Sequence, residues 1–139
     1  MGAQLALRIN SENGALERIT AAVEELGDRE DWTPDLVFRV NLVLEELGLN
    51  AIQYGAKGKM PDLQIVMVSE QDLVTITISD AGVPFDPLTD APEPDVNASI
   101  EDREIGGLGV FLAREMMDEA HYKREGGRNY VTLIKWRNE

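Results

Sequence analysis

Residues 73–80 read LVTITISD, and their alternation decides the fold. Val74, Ile76 and Ile78 share one face of an extended chain, while Thr75, Thr77 and Ser79 share the other. β-branched residues dominate, so a strand with one buried face is predicted. Immediately upstream, Leu63–Val68 has the same character, and Glu70-Gln71-Asp72 between the two runs suits a turn, giving a hairpin.

Further towards the N-terminus, Thr33-Pro34 is a helix start, with Thr33 as cap and Pro34 in the first turn. From there Leu36, Val40, Leu44, Leu47, Ala51 and Tyr54 recur at three- and four-residue steps until Gly55, as in a long amphipathic helix. A shorter helix is predicted after Ser11, with Leu16, Ile19, Val23 and Leu26 inward and Gly27 at its end. Residues 3–9 alternate loosely enough for a strand. Downstream, residues 81–105 hold four of the six prolines and little apolar periodicity, and a loop of that length is usually functional. Gly106–Gly109 opens a helix through about Asp118, followed by HYKRE, Gly126-Gly127 and NYVTLIKW, a second hairpin. Strand, helix, helix, two strands, loop, helix and two strands make an α+β two-layer sandwich: a mostly antiparallel sheet with helices on one face.

Bulk properties narrow the chemistry. The 139 residues suit one domain, residues 1–139, with 43% hydrophobic and 28% charged side chains. Thirteen basic against 26 acidic residues give a net charge of −13, which repels nucleic acid and anionic lipid. Cysteine is absent and His121 is the single histidine, so thiolate and multi-histidine metal sites are excluded. No apolar run has the length of a signal peptide core or a membrane span, and a cytoplasmic protein is expected.

Three places break the apolar pattern with chemistry. Glu46 and Asn50 lie one helical turn apart beside Val43, Leu47 and Tyr54. A carboxylate at that spacing can activate a hydroxyl and an amide oxygen can ligate Mg²⁺, although Glu45 and Glu46 serve equally as a solvated helix face. Asp80 falls by parity on the apolar side of its strand, where it needs a donor such as an adenine amino group. Gly82 would let backbone approach a flat ring, but Asp-Ala-Gly is also ordinary turn chemistry. Gly106, Gly107 and Gly109 precede an apolar helical run and would direct free amides at a phosphate, or simply ease helix entry. Arg103 can reach a phosphate or pair with Glu101 or Asp102; Met116, Met117, Trp32 and Trp136 are expected to pack.

In this order the pieces resemble the ATPase domain of the GHKL superfamily, which has the Bergerat fold and includes histidine kinases, gyrase and MutL. LEELGLNAIQYG is similar to its N-box, DAGVPFDP to its first glycine box and IGGLGVFLAREMMDE to its second; GGRNYVTLIKW is similar to the closing hairpin. The stand-alone anti-sigma factor serine/threonine kinases of bacterial partner-switching systems match best. The resemblance implies Glu46 as general base, Asn50 as Mg²⁺ ligand, Asp80 as partner of the adenine amino group with Gly82 beside it, and Gly107 and Gly109 at the phosphates. The loop 87–105 becomes the ATP lid, which with the following glycines extends to about residue 108. ATP and Mg²⁺ are the implied cofactors. An anti-sigma-factor antagonist and a sigma factor are the implied partners, in a homodimer. A nucleotide-responsive binding protein, or a plain ATPase, without kinase activity is the alternative. Pro84 replaces the second glycine of the first box, and Tyr54 stands where the family often has histidine.

Overall fold

The computed structural model describes residues 2–11, 13–52, 62–84 and 114–137. Within them, strand β1 (Ala3–Ile9) leads to helices α1 (Ala15–Arg29) and α2 (Pro34–Asn50). Strands β2 (Leu63–Ser69), β3 (Leu73–Asp80), β4 (Glu119–Glu125) and β5 (Arg128–Trp136) follow. The described strands form one sheet in the order β1-β2-β3-β5-β4, with every neighbouring pair antiparallel. β3 is the central strand and pairs with β5, far from it in sequence, so the two hairpins read from sequence join edge to edge.

The register arranges the buried face in rows. Leu5, Met67, Ile76 and Leu133 line up across the sheet, and Leu7, Ile65, Ile78 and Val131 form the next row. Most of these are fully buried beneath Ile19, Val23 and Leu26 of α1 and Val40, Val43, Leu44 and Leu47 of α2. Each such side chain contributes about 1.5–3 kcal/mol relative to exposure. The following row is Ile9, Leu63, Asp80, Asn129 and Arg124, where the face turns from apolar to polar.

Local chemistry explains the element ends. Thr33 caps α2, its hydroxyl accepting from Leu36 N at 3.2 Å, and Pro34 occupies the first turn. Gly126 and Gly127 have φ of 58° and 79°, the positive values a two-residue hairpin turn of mirror-image type requires. Trp32 is buried and donates through Nε1 to Ser69 Oγ at 2.9 Å, tying the α1–α2 connection to the end of β2.

Three expectations are corrected. Gly27 does not end α1, which runs on to Arg29; at its start the helix begins behind Gly14 in a left-handed conformation without a side-chain cap. Leu16 is exposed, because the buried phase of α1 runs through Ala15, Ile19 and Ala22. Trp136 is also exposed, because the alternation of β5 puts it on the face opposite the buried Asn129, Val131 and Leu133. Gly55, Tyr54, Arg103 and most of the helix expected from residue 106 lie outside the described residues. No helix among the described residues is long and apolar enough to cross a membrane.

Candidate functional site

At the end of α2, the helix and the polar row of the sheet enclose a crevice. Leu47, Asn50 and Ala51 line one wall; Ile78 and Asp80 from β3, with Asn129 and Val131 from β5, line the other. Gly48 permits the approach: a Cβ there would come within 3.3 Å of Ile19 Cδ1 and 3.8 Å of Leu63 Cδ2. Residues 51–52 continue the helix as a wider, π-type turn, a distortion frequent at functional sites.

Asn50 is 2% exposed, and its buried Nδ2 has no hydrogen-bond partner. Leaving such a group unmet costs about 1–3 kcal/mol. Asp80 stands on the inward face, as its parity predicts. Its Oδ1 accepts from Gly82 N at 2.9 Å and from Asn129 Nδ2 at 3.1 Å. The turn reading and the inward reading of Asp80 are therefore both correct, since one oxygen closes the Asp80–Gly82 turn while the residue lines the crevice. Among the described residues nothing donates to Oδ2.

Glu46 lies one turn before Asn50 and does not line the crevice. Burial, with the negative charge of Glu45 adding to it, holds its carboxyl above the ordinary glutamate range. Glu45 is engaged elsewhere, its Oε1 accepting from Asn41 Nδ2 at 3.0 Å and Thr20 Oγ1 at 3.3 Å. The two adjacent carboxylates thus differ: one is tied to α1, and the other has no donor among the described residues.

Asn129 is the site residue that sequence reasoning missed. It is 2% exposed and bonded at both ends of its amide. Nδ2 donates to Asp80 Oδ1 and to Val83 O (2.8 Å); Oδ1 accepts from Tyr122 OH (2.6 Å) and Arg124 NH1 (3.2 Å). The available signal was the same parity used for Asp80, because Asn129, Val131 and Leu133 alternate on one face of β5. Gly107 and Gly109 lie outside the described residues. Among the described residues no group of three or more acidic or histidine side chains is placed to hold a metal ion.

Comparison with known proteins agrees with this architecture. The family model for the histidine kinase-like ATPase domain matches residues 9–135. The chain is 29% identical to the serine/threonine-protein kinase BtrW of Bordetella bronchiseptica, over 80% of this chain and 78% of that protein. It is 31% identical to the anti-sigma F factor of Clostridium beijerinckii, over 90% of this chain and 86% of that protein. Among solved structures it is similar to the SiaB–SiaC complex from Pseudomonas aeruginosa, with a TM-score of 0.60 at 17% identity, covering 95% of this chain and 89% of that chain.

Proposed function

This chain belongs to the histidine kinase-like ATPase family, and from that premise we propose a protein serine/threonine kinase that acts as an anti-sigma factor. Its substrate would be a serine or threonine of a small anti-sigma-factor antagonist. Relatives named as serine/threonine-protein kinase and anti-sigma F factor support the reading. The observation that carries it is the crevice lined both by an inward carboxylate, Asp80, and by the unsatisfied buried amide of Asn50.

The residues present fit a nucleotide. Asp80 Oδ2 is open to the amino group of an adenine, and the backbone at Gly82 lies beside it. The orphaned Asn50 amide fits a ligand as well: a half-turn of χ2 exchanges its donor for its acceptor, which suits the single protein ligand that Mg²⁺ often takes beside phosphates and water. ATP, when bound, supplies the phosphoryl group, and Mg²⁺ offsets its charge. Glu46 would accept the proton of the attacking hydroxyl, and its raised affinity for protons suits a general base. Gly107 and Gly109 would offer backbone amides to the phosphates. A sigma factor as competing target, a homodimeric assembly and a cytoplasmic setting belong to the same proposal. The excess of acidic residues favours a partner with a basic face.

The test is transfer of label from γ-labelled ATP to the candidate antagonist, with Glu46→Ala as the control. Labelled serine or threonine with the wild type and none with the variant is expected. An unlabelled antagonist, under conditions where the two proteins bind each other, would rule the kinase out in favour of a nucleotide-responsive binding protein.

A further inference from the structure

The β4–β5 hairpin does more than close the sheet. An aspartate carboxylate turns easily about χ2, a broad and roughly two-fold torsion. Asp80 therefore presents a defined oxygen to a ligand only if something holds it. Gly82 N supplies one anchor to Oδ1 from backbone. The second anchor is Asn129 Nδ2, from the residue directly opposite Asp80 in the β3–β5 register.

Asn129 is itself held. An amide has a donor end and an acceptor end, and reversing it here would turn its oxygen towards the Asp80 carboxylate and the Val83 carbonyl. Arg124, which can only donate, opposes that reversal by donating to Oδ1 at 3.2 Å, and the hydroxyl of Tyr122 on β4 holds the oxygen in place by donating to it at 2.6 Å. Arg124 also donates to Gly82 O at 2.8 Å, so the same residues brace the backbone turn beyond Asp80. Arg124 is exposed and Tyr122 half-buried, which makes the Tyr122–Asn129 contact the better shielded of the two.

We infer that Tyr122 and Asn129 are positioning residues for base selection, fixing Asp80 so that Oδ2 alone faces the ligand and accepts from an exocyclic amino group. The inference rests on the nucleotide site proposed above. A site arranged around one hydrogen bond rejects analogues lacking the matching group, and holding the acceptor in place beforehand raises the selectivity.

The experiment compares binding of ATP and of purine riboside triphosphate, which lacks the amino group, by calorimetric titration of the full chain with Mg²⁺. Wild type, Asn129→Ala and Tyr122→Phe are titrated, each shown to melt cooperatively. Wild type is expected to prefer ATP at least tenfold. Asn129→Ala should lose most of that preference, weakening ATP binding far more than it weakens binding of purine riboside triphosphate. Tyr122→Phe removes a single oxygen and should lose part of the preference, and it decides the matter if Asn129→Ala does not fold. Variants that retain the wild-type ratio, or that weaken both nucleotides equally, overturn the positioning role and leave the nucleotide site standing. A wild type that binds the two nucleotides equally overturns the assignment of Asp80 itself, and the inference with it.

Discussion

Asn50 of α2 and Asp80 of β3 line the same crevice, one with a buried amide nitrogen that has no hydrogen-bond partner and the other with a carboxylate oxygen to which no described residue donates. Around them Asn129 uses both ends of its amide and Glu45 accepts from two elements, whereas Asn41 Oδ1, further back along α2, is also buried without a partner but does not line the crevice. Two incomplete groups at one place, beneath the end of a helix, are what a ligand would complete.

Asp80→Asn should weaken ATP binding at least tenfold, about 1.4 kcal/mol. The amide retains an acceptor for Gly82 N and Asn129, so the fold should persist while Oδ2 is replaced by a donor. With Mg-ATP a hundredfold above the wild-type Kd, the wild type should gain about 2.7 kcal/mol of stability and the variant about 1.4 kcal/mol. Thermal melts with and without nucleotide measure both; an equal shift in the two proteins would remove Asp80 from the site.

Glu46→Gln should reduce phosphoryl transfer by on the order of 10²–10⁴ while ATP affinity stays near wild type. The pH profile gives a sharper check. Protonated Glu46 cannot accept a proton, so kcat should fall as pH drops through its carboxyl, at a pH above the ordinary glutamate range because burial and Glu45 raise it. Glu45→Gln removes the like charge yet keeps an acceptor for Asn41 and Thr20, and should move this limb to lower pH without abolishing its elevation. A limb that stays put would detach Glu45 from the base.

Thr33→Ala should cost about 1 kcal/mol of stability, from the lost cap on Leu36 N. For a chain of this size that lowers Tm by roughly 2–4 °C. Thr33→Ser should recover most of the loss. Affinity for ATP should not move, since the cap lies at the opposite end of α2 from Asn50.

Thr33 and Asp80 also mark how much was readable in the chain. Capping and strand parity are local physics: Thr33-Pro34 starts a helix wherever it packs, and alternation through Val74, Ile76 and Ile78 turns Asp80 inward before any partner is known. The sandwich followed from such signals, as did the placement of Asn50 and Asp80. Asn129 did not, because its meaning lies in a β3–β5 pairing between residues far apart in sequence and in a tyrosine across a hairpin. The inward face and the end of α1 were misread for a related reason. Leu16 fits a helical repeat with Ile19 and Val23, but the core selects the phase of Ala15 and Ile19 over that of Leu16, and the helix runs past Gly27 to Arg29. Gly107, Gly109 and the expected lid lie outside the described residues, and their roles remain proposals.

Asp118 joins β5 to the segment before β4, accepting from Trp136 N at 2.7 Å and Lys135 Nζ at 3.2 Å. Burial alone would raise its carboxyl, but those donors, with the positive charges of Lys135 and Arg39, outweigh it and hold the group below the usual aspartate range. Asp62 behaves alike: burial opposes, while Arg128 at 2.9 Å and Arg8 at 3.2 Å prevail. A depressed folded-state value means that the unfolded chain binds the proton more readily, so the stability these pairs contribute is present above the unfolded value of about 3.9 and is lost as pH falls through the folded one. Glu46 has the opposite sign, its contribution diminishing as pH rises through its raised value. Urea unfolding of wild type and Asp118→Asn at about pH 7, 5 and 3 separates these effects, because asparagine keeps an acceptor for Trp136 N but cannot titrate. The gap between the two proteins should be widest at neutral pH and close towards pH 3; a gap independent of pH would mean that Asp118 acts through its shape and hydrogen bonds rather than its charge.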